Sequence, residues 1–108
     1  MEELNFKAAI ERSLKIRERY HELELEHHGS KWTVEEDALA FLTDAALVGR
    51  LTMSQQERWP AGPNPETDLE HKLGESIWWL TVLANRMDID IQDALEQFLT
   101  KTEKLIGK

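Results

Sequence analysis

The sequence predicts an all-α fold, a single four-helix bundle covering residues 1–108. Three observations predict it. Apolar side chains recur at three- and four-residue spacing in separate stretches, helix-start and helix-stop residues bracket those stretches, and the middle of the run from Lys72 to Met87 is apolar on every side. Ile77, Trp78, Trp79 and Leu80 are consecutive, so they point in four directions around a helix axis. A lone surface helix shows one apolar stripe opposite a polar face. This segment therefore needs cover on more than one side and is expected to be the central helix.

The first helix is expected over roughly Glu2 to His28. Phe6, Ile10 and Leu14, then Ile16, Tyr20 and Leu23, follow helical spacing with charges between them. Gly29 suits the position just past a helix end, and His27 and His28 fall in the last turn, where the dipole favours positive charge. Adjacent histidines splay about 100° apart on a helix and do not readily share a metal ion. Trp32-Thr33-Val34-Glu35-Glu36 starts the second helix, with Thr33 as N-cap and Glu36 closing a capping box. Val34, Ala38, Phe41, Leu42, Ala45 and Val48 form its apolar stripe. Residues 49–58 read as irregular or weakly helical chain. The stretch Trp59 to Pro65, with three prolines and a glycine, is a break that serves as a crossover between helices. Thr67 or Asp68 is expected to cap the third helix, which runs to about Met87 or Asp88. Asp90 caps the last helix, Ile91 to about Ile106, with Ile91, Leu95, Phe98, Leu99 and Leu105 on its apolar side.

Composition narrows the function classes. No window approaches the roughly 20 apolar residues of a membrane span, and the N-terminus lacks a basic start followed by an apolar run. With no cysteine, disulfides, thiolate metal sites and cysteine catalysis are excluded, which suits a cytoplasmic protein. Thirteen basic residues stand against 21 acidic ones, a net charge of −8. Arg12, Lys15, Arg17 and Arg19 are the nearest thing to a basic patch, but Glu11, Glu18, Glu22, Glu24 and Glu26 interleave with or follow them. That pattern is an ion-paired, solvated helix face, not a nucleic-acid surface. A polyanionic small molecule would need a divalent cation to mediate its binding.

The candidates for chemistry lie on the two middle helices. Asp44 interrupts an apolar run, and a charge there is costly unless partnered. Asp37 and Asp44 are seven residues apart, near one face of helix two. Asp68 and Glu75 stand in the same relation on helix three, with His71 and Lys72 between them. If the two helices pack antiparallel, Asp44 and Glu75 converge, and two to four carboxylates from facing helices form a site for a hard ion such as magnesium. The plainer alternative has Asp68 capping its helix, Glu75 paired with Lys72 or His71, and Asp44 paired with an arginine. Trp32 and Trp59 either stack on a base or plug helix boundaries. Trp78 and Trp79 cannot both face one small core, so one of them is expected at a homodimer interface.

Residues 73–90, Leu-Gly-Glu-Ser-Ile-Trp-Trp-Leu-Thr-Val-Leu-Ala-Asn-Arg-Met-Asp-Ile-Asp, resemble the second signature of the MazG-like nucleotide pyrophosphohydrolases: Glu-Leu-x-Asp, an apolar run, then Leu-Ala-Asn-Arg-Leu-Gly-Ile-Asp. Residues 41–51, Phe-Leu-Thr-Asp-Ala-Ala-Leu-Val-Gly-Arg-Leu, resemble the Glu-x-x-Glu of the first signature. The likeness covers helix order and spacing over roughly residues 32 to 105.

The resemblance implies a dimeric bundle whose acidic residues hold magnesium on a nucleoside triphosphate, with water attack releasing pyrophosphate and a monophosphate. Asp44 takes the first acidic place and Glu75 the fourth. The second falls on Leu47, which cannot ligate, and the third on Lys72, whose charge repels a cation. Lys101 alone keeps the family's C-terminal Lys-x-x-Lys-Asn. Two expectations follow. In one, hydrolysis persists with fewer metals, Lys72 touching a phosphate and Asp68 or Glu70 adding a ligand. In the other, catalysis is lost and the fold serves as a binding or assembly module.

Overall fold

A computed structural model describes residues 3–60 and 65–107, and all regular structure among them is helical: α1 Phe6–His28, α2 Val34–Gln55, α3 Pro65–Arg86 and α4 Ile91–Leu105. The order and number of helices are those predicted, and no described helix is long and apolar enough to cross a membrane.

The start of α1 differs from expectation. Asn5 is the N-cap and its side-chain oxygen accepts from the Ala8 N–H at 2.8 Å, so the helix opens at Phe6. At its other end Gly29 takes φ +76° and its N–H donates to the Leu25 carbonyl. The Thr33–Glu36 capping box opens α2 as predicted, both reciprocal hydrogen bonds being made. That helix then runs through Gly49 to Gln55, so of the irregular or weakly helical chain expected over 49–58 most is regular helix continuous with α2 and only the last few residues are irregular. One glycine costs a helix only about 1 kcal/mol, which the packing of Val48 and Leu51 outweighs. α3 begins at Pro65, a residue suited to the first helical position, so Thr67 and Asp68 lie inside the first turn and do not cap it. The crossover between α2 and α3 falls partly on residues 61–64, outside the described residues. Asp88, at φ +58°, makes the turn into α4, whose N-cap Asp90 accepts from Asp93 as expected.

α3 is the hub: α2, α1 and α4 each pack on it, α2 most extensively. Its buried block is Trp79, Thr81, Val82, Leu83 and Ala84. Cover on several sides is thus real, but it stops short of Leu73, Ile77 and Leu80, which are exposed, Ile77 at 66 %.

α2 and α3 run antiparallel, so partners step in opposite senses along the seam. Asp37 meets Arg86; seven residues further along α2, Asp44 meets Trp79, seven residues back along α3. The seam of α2 carries Val34, Asp37, Phe41, Asp44, Val48 and Leu51, all buried or half-buried, while Ala38 and Leu42 of the predicted stripe are exposed.

Much apolar surface is left over. Leu39 and Leu42 on α2 are exposed, as are Leu95, Phe98, Leu99 and Leu105 on α4. The accessible surface is 8604 Å², against about 6,200 Å² for a compact monomer of this mass. The radius of gyration is 16.6 Å, against about 13 Å for a compact chain of this length.

Candidate functional site

Two ionic clusters sit along the α2–α3 seam. The deeper one is built on Asp37, fully buried in the first turn of α2. Arg17 of α1 donates from Nη2 to its Oδ1 at 2.7 Å and from Nε to its Oδ2 at 3.4 Å. Arg86, in the last turn of α3, donates from Nη1 to Oδ2 at 2.9 Å and also to the Trp32 carbonyl at 2.9 Å. Arg17 Nη1 donates to Glu24 Oε2 at 2.7 Å, and Glu24 Oε1 accepts from the Trp32 N–H at 2.9 Å and lies 3.1 Å from His21 Nδ1. Burial works against the Arg17 charge, but its hydrogen bonds to Asp37 and Glu24 outweigh that and hold the guanidinium above its ordinary pKa. Burial likewise pushes the Glu24 carboxyl up, and the hydrogen bonds from Arg17, Trp32 and His21 outweigh it, leaving Glu24 below its ordinary value.

The expectation of a solvated basic face on α1 is therefore corrected at Arg17, which is only 4 % exposed. The stripe that packs on α3 runs Phe6, Ile10, Ser13, Arg17, His21 and Glu24, whereas Ile16 and Tyr20 lie largely outside it. Following the phase of Ile10 forward in steps of three and four would have reached Arg17, His21 and Glu24 from sequence.

The second cluster unites three of the predicted residues. Lys72 Nζ donates to Asp44 Oδ1 at 2.9 Å and to Glu75 Oε1 at 2.8 Å, and Trp79 Nε1 donates to Asp44 Oδ2 at 2.8 Å. Hydrogen bonds to Glu75 and then Asp44 hold the Lys72 ammonium above its ordinary pKa, so it is charged at neutral pH. The acidic residues from facing helices do converge, and the cation between them is lysine. His71, expected to support Glu75, lies 3.8 Å from it and is mostly exposed. Asp68 lines a smaller cavity of about 330 Å³ with Leu47, Arg50 and Lys72. Lys101 lines a separate groove made of α4 residues alone.

These side chains do not fit a magnesium ion as they stand. A hard divalent cation takes about six oxygens, and both carboxylates here already accept from Lys72. Among the described residues no three acidic or histidine side chains gather in a way that could hold a metal.

Beside this cluster opens a cavity of about 750 Å³ between α1 and α3, walled by Tyr20, Trp32, Trp78, Trp79, Glu24 and Glu75. Trp79 is buried and Trp78 half-buried. Trp78 meets Trp79 edge-on at 4.7 Å and Tyr20 at 5.9 Å, and its Nε1 donates to the Ser13 carbonyl of α1 at 3.1 Å. Both tryptophans therefore find partners within one chain, and neither has to be spent on another subunit. Trp59 is exposed and outside this cavity. The cavity was not legible as a site, because its walls combine residues 20–32 with residues 75–79. Matched against family models, curated proteins and solved structures, the chain finds no counterpart.

Proposed function

We propose that the chain is a MazG-like helical module in which a lysine ammonium stands where that family places its metal, and that it binds a ligand without hydrolysing a nucleotide. The observation that carries this reading is Lys72, 2.9 Å from Asp44 and 2.8 Å from Glu75. An ammonium neutralises the two carboxylates, but it offers no open coordination position and does not lower the pKa of a bound water as a metal does. Leu47 adds no oxygen to the set. Pyrophosphohydrolysis of a nucleoside triphosphate with magnesium is the competing reading, supported by the same convergence of Asp44 and Glu75.

A pyrophosphate-release assay over ribo- and deoxynucleoside triphosphates, with magnesium or manganese, separates the two. No release above the blank is expected. Metal-dependent release that disappears in Glu75→Gln overturns the binding-module reading in favour of hydrolysis. The Leu47→Glu/Lys72→Glu double variant rebuilds four carboxylates, and calorimetry should then detect manganese binding that the native chain lacks.

A second copy of the chain completes the same proposal. About 2,400 Å² of surface beyond that of a compact monomer is enough for a large, apolar homodimer interface. The exposed rows on α2, α3 and α4 supply its chemistry. Light scattering is expected to give twice the 12.6 kDa chain mass. Ile77→Asp or Phe98→Asp should shift the population to monomer, and a native monomer at high micromolar concentration would refute the dimer.

A further inference from the structure

The aromatic cavity has features that select a class of ligand. Its rings do not form a slot. Trp78 stands at 62° to Trp79 and 64° to Tyr20, so neighbouring walls meet as corners. A flat heterocycle stacks best on parallel faces, whereas a rounded group carrying several small apolar substituents fills a corner and touches several rings at once. The aromatic wall already takes a cation from one side, since the Arg17 guanidinium lies 5.7 Å from the Trp79 ring centroid.

Charge points the same way. The lining itself carries two carboxylates, Glu24 and Glu75, against one guanidinium, Arg17, with the imidazoles of His27 and His28 beside them. One negative charge is in excess. Arg17 in the lining already donates from Nε, Nη1 and Nη2, and Lys72, which holds Glu75 from outside the lining, donates to two carboxylates, so both cations are engaged and poorly placed to meet a phosphate. Glu75, whose Oε2 accepts no hydrogen bond among the described residues, lines the cavity and is partly exposed.

We propose that this cavity binds a small organic cation, an ammonium bearing methyl or other short alkyl groups, held among Tyr20, Trp32 and Trp78 with its charge facing Glu75. Aromatic rings attract such a cation through their quadrupoles, and the attraction strengthens where the cation leaves water. A quaternary ammonium loses little hydration on entering, because it has no N–H to leave unpaired, and the adjacent carboxylate supplies long-range charge. This assignment is independent of the MazG-like reading: it concerns the cavity between α1 and α3, and the pyrophosphate assay is decided whether or not an ammonium binds.

The test is a titration of the full chain with tetramethylammonium and choline, followed by tryptophan fluorescence and calorimetry at constant ionic strength. The control is 3,3-dimethyl-1-butanol, the neutral carbon isostere of choline. Saturable binding of the cations is expected, with the neutral isostere about tenfold weaker or more. Glu75→Gln and Tyr20→Leu should each weaken cation binding several-fold. Tyr20 is half exposed and Glu75 partly so, and unchanged thermal unfolding checks that both variants keep the fold. Equal affinity for choline and its isostere would reduce the cavity to an apolar hole and overturn the proposal. So would saturation by neither compound, or choline binding that both variants leave untouched.

Discussion

Asp37→Ala is expected to destabilise the protein by about 3–5 kcal/mol, the cost of removing one partner from a buried ionic cluster. Domains of this kind are stable by roughly 5–15 kcal/mol, so the variant should lie near the edge of folding. The size follows from what remains behind. Asp37 is 0 % exposed and accepts from two arginines, one on α1 and one on α3. Without it Arg17 keeps Glu24, and Arg86 keeps only the Trp32 carbonyl. The four side chains Arg17, Arg86, Asp37 and Glu24 carry no net charge as a group; the alanine variant leaves them one positive charge in excess, in a place with little water to screen it.

Asp37→Asn separates charge from shape. It keeps one acceptor oxygen, so a loss nearly as large as that of alanine would assign the effect to the carboxylate charge. Pairing Asp37→Ala with Arg17→Met should recover part of the loss, because the second substitution removes the stranded cation. Urea unfolding at one fixed protein concentration measures all three, the concentration being held because a dimer's stability depends on it. A loss under 1 kcal/mol for Asp37→Ala would mean that water reaches the cluster and that α1 is held by its apolar contacts and the Trp78–Ser13 hydrogen bond instead.

That cluster marks where sequence reasoning stopped. Local signals were legible because they are local: Thr33 and Glu36 are three residues apart and complete each other's hydrogen bonds, and Asp90 reaches only to Asp93. The convergence of Asp44 with Glu75 and Lys72 was also within reach, since seven-residue spacing on two antiparallel helices fixes the seam. Arg17 was misplaced for a different reason. A charged residue in a charged stretch reads as solvent-facing, and only the helical phase set by Ile10 shows that it points inward. Its distant partners, Asp37 and the Trp79 ring, lie 20 and 62 residues away in the chain, and no local pattern links them. The Trp78–Trp79 pair likewise depends on contacts distant in the chain. Two adjacent large rings look irreconcilable with one core, but Trp78 meets Tyr20 edge-on and donates to the Ser13 carbonyl of α1.

The second large effect is expected at Trp79. Trp79→Ala should cost about 3–5 kcal/mol, the range for deleting a buried aromatic side chain. The ring is 6 % exposed and touches Trp78, Arg17 and Asp44. Trp79→Phe is the informative companion. Phenylalanine fills much of the same space but has no N–H, so Asp44 Oδ2 loses its only hydrogen-bond donor among the described residues. A hydrogen bond to a charged group contributes about 1.5–3 kcal/mol, and the phenylalanine variant should lose a comparable amount. The functional consequence is directional. With Trp79 in place, the two oxygens of Asp44 are fixed by two donors on α3, Oδ1 by Lys72 and Oδ2 by the indole. With phenylalanine, Oδ2 is free while Oδ1 still faces the ammonium, so an external cation would find one freed oxygen of Asp44 instead of two held ones. Manganese affinity measured by calorimetry should therefore rise more in Trp79→Phe/Lys72→Gln than in Lys72→Gln alone. If urea unfolding of Trp79→Phe matches the native chain within 0.5 kcal/mol, Lys72 alone holds Asp44, and the indole serves the cavity and the core without ordering the carboxylate.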